Sequence, residues 1–98
     1  MTNPIPLYTP SNKISARIVD GQLIILKPGD DELLRFNEVA SSIWSVIEKK
    51  PSSIPDLVIH VVQTFEVDSD TAQLDITSFL EEMMNQTLVN RIKSPENP

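Results

Sequence analysis

Residues 14–37 read ISARIVDGQLIILKPGDDELLRFN, and this stretch decides the fold. Ile14, Ala16 and Ile18 alternate with Ser15, Arg17 and Val19, the period of two that marks a strand. Asp20-Gly21 follows, a pair that accepts the positive φ angles of a tight hairpin turn, so the chain is expected to reverse there. Gln22 to Lys27 returns with four consecutive aliphatics, Leu23, Ile24, Ile25 and Leu26, a run suited to a strand covered on both faces. Pro28-Gly29-Asp30 makes a second turn, and Glu32 to Phe36 a shorter third strand at the sheet edge. The expectation is a three-stranded antiparallel meander.

Downstream the period changes to that of a helix. Asn37 is a good N-cap, Glu38 suits the first turn, and Ala40, Ile43, Trp44 and Ile47 recur at helical spacing up to Lys49, Lys50 and Pro51. Ser53 caps a second helix with the apolar set Ile54, Leu57, Val58, Val61, Val62 and Phe65. Asp68 or Ser69 caps a third, running to about Asn85, with a core stripe of Ala72, Ile76, Phe79, Leu80 and Met83. Thr87 to Ile92 reads as an extended segment. The fold class expected is α+β, a three-stranded antiparallel sheet followed by a three-helix bundle.

Upstream, residues 1–12 hold Pro4, Pro6 and Pro10, which exclude a regular helix or central strand. They read as a flexible proline-rich arm; the alternative is an extended arm packing Leu7 or Tyr8 onto a neighbouring surface. Residues 13–92 then form the folded domain and 93–98 a flexible tail.

Composition narrows the function. Of the 98 residues, 40% are apolar and 22% charged, a globular balance. No apolar run approaches the roughly 18–20 residues needed to span a bilayer, and the first dozen residues lack the pattern of a signal peptide. With no cysteine there is no disulfide framework, and a cytoplasmic location is expected. Eight basic against fourteen acidic residues give a formal charge of −6, which argues against a nucleic-acid footprint.

Chemistry-bearing patterns are sparse. His60 is the sole histidine and lies off the apolar stripe of its helix, which reads as a solvated surface residue. With no cysteine and no second histidine, a zinc site lacks its usual ligands. Asp68, Asp70, Asp75, Glu81 and Glu82 are best explained by helix capping and a solvated face. Asp30-Asp31-Glu32 lacks the ligand spacing of a calcium loop, and the only two glycines, Gly21 and Gly29, are used in turns. No catalytic residue, metal or cofactor is expected, and no enzymatic activity.

Surface shape remains. Leu74 and Met84 fall off the core stripe of the third helix, flanking Thr77 and Glu81. In the third strand Leu33, Leu34 and Phe36 are all apolar, yet a strand has two faces that cannot both enter one core. An apolar uncovered edge is an aggregation hazard unless something pairs with it. Strand addition by a partner peptide would satisfy both features.

The two stretches DGQLIILKPGDDELLRFNEVASSIWSVIE and IPDLVIHVVQTFEVDSDTAQLDITSFLEEMMNQTLV together resemble the PqqD-like proteins. The marks are the Asp20-Gly21 hairpin, the Leu34-x-Phe36-Asn37 junction, Ile43-Trp44, Leu57-Val58, Phe65-x-Val67, and Asp75-Ile76 followed by Phe79-Leu80. The resemblance implies a winged-helix-like arrangement and a recognition role. Such domains bind the leader segment of a ribosomally made precursor peptide and deliver it to a modifying enzyme, a radical S-adenosylmethionine protein in the quinone pathway. Related domains serve lasso-type and other peptide pathways. The leader is expected to add to the third strand and pack on the third helix. By position that surface is Glu32, Leu33, Leu34, Arg35 and Phe36, with Leu74, Thr77, Ser78, Glu81 and Met84. One departure is Thr87, which stands where the family commonly has glycine before its final hydrophobic pair.

Two other readings stay open. A winged-helix DNA-binding regulator shares the topology, but residues 69–87 hold no basic side chain for phosphates. A structural dimerisation module would form a homodimer through the proline-rich arm.

Overall fold

A computed structural model of the chain describes residues 5–12, 14–27, 29 and 32–93. In chain order the elements are β1 Pro6–Pro10, β2 Ser15–Val19, β3 Gln22–Lys27, β4 Glu32–Arg35, α1 Glu38–Lys49, α2 Ile54–Phe65, α3 Ser69–Asn85 and β5 Val89–Lys93. Strands β2, β3 and β4 form an antiparallel sheet in that order, and β1 pairs antiparallel with β5 in a separate ribbon. The molecule is thus the α+β fold that periodicity anticipates, a three-stranded sheet and three helices, with one addition.

The addition is β1. Pro6–Pro10 does not form a flexible arm; it pairs with β5 from Pro6 opposite Lys93 to Pro10 opposite Val89. Lys93, assigned from sequence to the tail, therefore closes a ladder. Proline in a strand needs a position whose N–H has no ladder partner to serve. Alternation supplies it: the Tyr8 N–H and C=O bond Ser52 on the side away from β5, at 2.8 and 3.1 Å, and Pro6 and Pro10 share that parity. Tyr8 is packed into the core at 5% exposure, as the extended-arm alternative allowed. Residues 1–4 and 94–98, and Pro28, Asp30 and Asp31 of the second turn, lie outside the described residues.

Local chemistry sets most boundaries. Asp20 and Gly21 both take positive φ, 52° and 80°, the geometry that a two-residue hairpin needs, with Val19 opposite Gln22. Asn37 caps α1 by accepting the Ala40 N–H at 2.9 Å, and Ser53 caps α2 through the Asp56 N–H at 3.3 Å. Asp68 caps α3 through the Thr71 N–H at 2.7 Å, and hydrogen bonding from Thr71 holds its carboxyl below the usual value.

The core sits between the inner face of the sheet and the helices. Leu23 and Ile25 meet Ile43, Trp44 and Ile47 of α1, Leu57 and Val61 of α2, and Ile76, Leu80 and Met83 of α3, all essentially buried. Strand β3 is covered on one face only: Leu26 is 42% exposed, because among the described residues no helix lies over the outer face. The Trp44 ring is buried with its Nε1 unpartnered among the described residues, a polar atom carried inside for the packing of the largest side chain in the core.

Helix α3 ends in a Schellman turn: the Leu88 N–H bonds the Met83 carbonyl at 2.8 Å and the Thr87 N–H bonds that of Met84 at 3.0 Å. Thr87 takes φ 59°, so it adopts the left-handed geometry for which glycine is suited. The accompanying hydrophobic contact is between Met83 and Leu88, both fully buried. A β-branched residue is strained there, so Thr87→Gly is expected to raise stability by about 0.5–1 kcal/mol after glycine's extra unfolded-state entropy is subtracted. Urea unfolding measures it; an equal or lower stability would show that threonine bears no strain at this position.

Candidate functional site

The site grows from the place where the sheet hands over to α1. The Phe36 N–H bonds the Leu23 carbonyl at 3.0 Å, the last bond of the β3–β4 ladder. The chain then turns into α1, and the Leu23 N–H, which a longer β4 would have paired, donates to the Ser41 Oγ at 2.6 Å. Ser41 in turn donates its hydroxyl to the Asn37 carbonyl at 2.7 Å. One serine thereby splices sheet to helix and fixes the direction in which β4 ends.

Register determines what β4 offers. Because Phe36 bonds Leu23, alternation directs the backbone groups of Leu34 and Glu32 toward β3 as well. The N–H and C=O of Leu33 and Arg35 therefore point away from the sheet along an edge that no described strand pairs. Beside this edge lies a groove of about 450 Å³. Its walls are Arg35, Phe36 and Asn37 at the end of β4, Val39, Ala40 and Ile43 of α1, and Asp75, Ser78, Phe79 and Glu82 of α3. The rings of Phe36 and Phe79 meet edge to face, 87° apart with centroids at 5.8 Å. Asp75, Ser78, Phe79 and Glu82 share one helical face by their spacing of three, four and seven. The groove combines an apolar ring pair with one guanidinium, two carboxylates and neutral hydrogen-bonding groups. That suits an extended peptide better than a reaction.

The residues singled out from sequence divide. Arg35, Phe36 and Ser78 line the groove. Glu32 and Leu33 are exposed on the edge strand, Leu33 at 58%. Leu34 is turned inward and packs against the core. The structure does not bring Leu74, Thr77, Glu81 and Met84 to the groove. At 100° per residue they lie on the other side of the core stripe from Asp75, Phe79 and Glu82. Leu74 is 70% exposed and Met84 is half-buried against the core. A helix has two flanks beside its core stripe, and periodicity alone does not say which one borders β4. Phe79, assigned to the core from sequence, is half-buried and forms part of the wall.

His60 is not a solvated surface residue. It is half-buried, and its Nε2 lies 2.6 Å from the Ser42 Oγ, tying α2 to α1. Among the described residues no cluster of three or more His, Cys, Asp or Glu could hold a metal ion, and no helix is long and apolar enough to cross a membrane. A second, more apolar hollow of about 610 Å³ lies between β1 and α2, lined by Ile5, Tyr8, Ile54, Pro55, Val58 and Ile59 among others. Strand β1 cannot template a guest strand there, since it is bonded to β5 on one side and through Tyr8 to Ser52 on the other.

Comparison with known proteins agrees with this architecture. The family model of coenzyme PQQ synthesis protein D (PqqD) matches residues 22–89, from β3 to the start of β5. No curated protein matches the chain in sequence. The complex of TbiB1 with the TbiA(beta) leader peptide shares the fold at a TM-score of 0.73 and 20% identity, over 92% of this chain and 99% of that one. Lasso peptide synthetase B1 complexed with the leader peptide shares it at 0.73 and 18%, over 85% and 96%.

Proposed function

Because the chain belongs to the family of coenzyme PQQ synthesis protein D, we propose that it is a non-enzymatic peptide-binding protein that takes the leader segment of a ribosomally made precursor as an added strand on β4. One observation carries this reading: the backbone groups of Leu33 and Arg35, which no described strand pairs, lead to a groove that begins at Arg35 and whose far wall is α3. Main-chain bonds to such an edge supply affinity for any extended peptide, and the adjoining pocket selects among side chains. Phe36 and Phe79 would receive an apolar side chain of the guest, while Arg35, Asp75 and Glu82 discriminate by charge. That two proteins of this fold have been captured with leader peptides supports the assignment. The bound leader would be presented in the cytoplasm to a modifying enzyme, such as a radical S-adenosylmethionine protein.

Titration of a cognate leader peptide into the isotope-labelled full chain tests the reading. The amides of Leu33 and Arg35 are expected to shift together with those of Ser78, Phe79 and Glu82. Shifts concentrated on Leu74, Thr77, Glu81 and Met84 would move the helix contact to the opposite flank of α3. Shifts confined to the α1–α2 surface would overturn the groove.

A further inference from the structure

The outer face of the β2-β3-β4 sheet, which no helix covers among the described residues, is unlike the rest of the molecule. Register places Arg17, Ile24 and Arg35 in one row across the strands and Ser15, Leu26 and Leu33 in the next. An antiparallel sheet with one solvated face is ordinarily polar on that face. Here Val19, Leu26 and Leu33 are 47%, 42% and 58% exposed, and Ile24 is half-buried between two arginines. The chain carries a net charge of −6, yet the outward-facing strand residues from Ser15 to Arg35 include the guanidiniums of Arg17 and Arg35 and no carboxylate among the described residues. Charge is thus segregated between two surfaces, with Asp70, Asp75, Glu81 and Glu82 on α3 and Arg17 and Arg35 on the outer face of the sheet, while Glu32 of β4 belongs by register to the opposite face.

We propose that this face is a second docking surface, for an amphipathic helix of another protein that presents acidic residues around an apolar ridge. The ridge rests on Ile24, Leu26 and Leu33, and the carboxylates meet Arg17 and Arg35. The spacing fits: the two arginines stand two strand separations apart, about 9–10 Å at the backbone. Carboxylates seven residues apart on a helix are about 10.5 Å apart along its axis. A second copy of this chain is a poor occupant, since face-to-face packing about a two-fold axis would bring the arginines of both copies together. An anionic bilayer is disfavoured by the net negative charge. The surface shares Arg35 with the groove and Leu33 and Arg35 with the β4 edge, but it uses their side chains on the outer face and not their backbone groups, so a helix docked there leaves α3 free and the proposal holds whatever fills the groove.

The test uses the full chain and a synthetic helical peptide of leucine, alanine and glutamate, its glutamates in pairs seven apart, with a lysine counterpart. The acidic peptide is expected to shift the amides of Arg17, Ile24 and Leu26 while leaving Ser78 and Phe79 in place, and to bind more weakly as salt rises. Arg17→Glu should weaken it about five- to tenfold and improve binding of the lysine peptide, since an exposed charge pair changes sign. A leader titration of Arg17→Glu run in parallel should match wild type, which separates failure here from failure of the groove. No binding, equal binding of both peptides to wild type, shifts confined to the groove, or a preference for phosphatidylserine vesicles over the peptide would each overturn the proposal.

Discussion

Ser41→Ala is expected to lower the unfolding free energy by about 1–3 kcal/mol, the cost of leaving a buried N–H without an acceptor. The residue looks dispensable in sequence, one of several serines in a helix. In the fold Ser41 is 3% exposed and its Oγ accepts the N–H of Leu23, itself fully buried. Alanine fits the space and removes the acceptor, and no neighbouring strand can replace it because β4 has already turned away at Phe36. For a domain whose total stability is about 5–15 kcal/mol, this is a substantial fraction. Ser45→Ala, one turn further along α1 and half-buried, is the control and should stay within about 0.5 kcal/mol of wild type. Equal losses in urea unfolding for the two variants would show that Ser41 does not splice sheet to helix.

Leu33→Pro should abolish the proposed strand addition while sparing the fold, and the pair Leu33→Pro and Leu34→Pro forms the sharper test. Proline at position 33 deletes an N–H that points to the open edge, a site where strands tolerate it. Its ring also stands where the guest backbone would lie. Leader binding should fall at least about tenfold, or 1.4 kcal/mol, with the far-ultraviolet spectrum unchanged. Leu34→Pro deletes an N–H directed into the β3–β4 ladder and removes a side chain packed on the core, so it should destabilise the protein itself. Tight leader binding by a folded Leu33→Pro variant would rule out the edge of β4 as the docking strand. The inward orientation of Leu34 also makes Leu34→Asp a poor probe of binding, since it would place a carboxylate against the core.

Much of this molecule is legible without coordinates because neighbours in the chain settle it. Asp20-Gly21 can supply the two positive φ angles by itself; Asn37, Ser53 and Asp68 each reach an N–H three residues on; the stripes of α1 and α2 repeat at 3.6 residues. These are interactions within one turn, and they place strand, helix and cap to within a residue or two. The apolar excess of Glu32–Phe36, too rich for one buried face, likewise marks the edge strand before any fold is known.

What only the tertiary structure decided is everything that depends on where separate elements come to rest. The β1–β5 ribbon joins residues from opposite ends of the chain, and nothing in PLYTP announces a partner in VNRIK. The same holds for Ser41 against Leu23 and for His60 against Ser42, each pair separated by 18 positions. It holds above all for the groove wall that α3 supplies. The sequence determines which stripe of that helix is buried, because burial follows from apolar spacing. Which of the two flanks then faces β4 is set by the direction in which the helix packs across the sheet, and the pattern of its own residues reads the same either way.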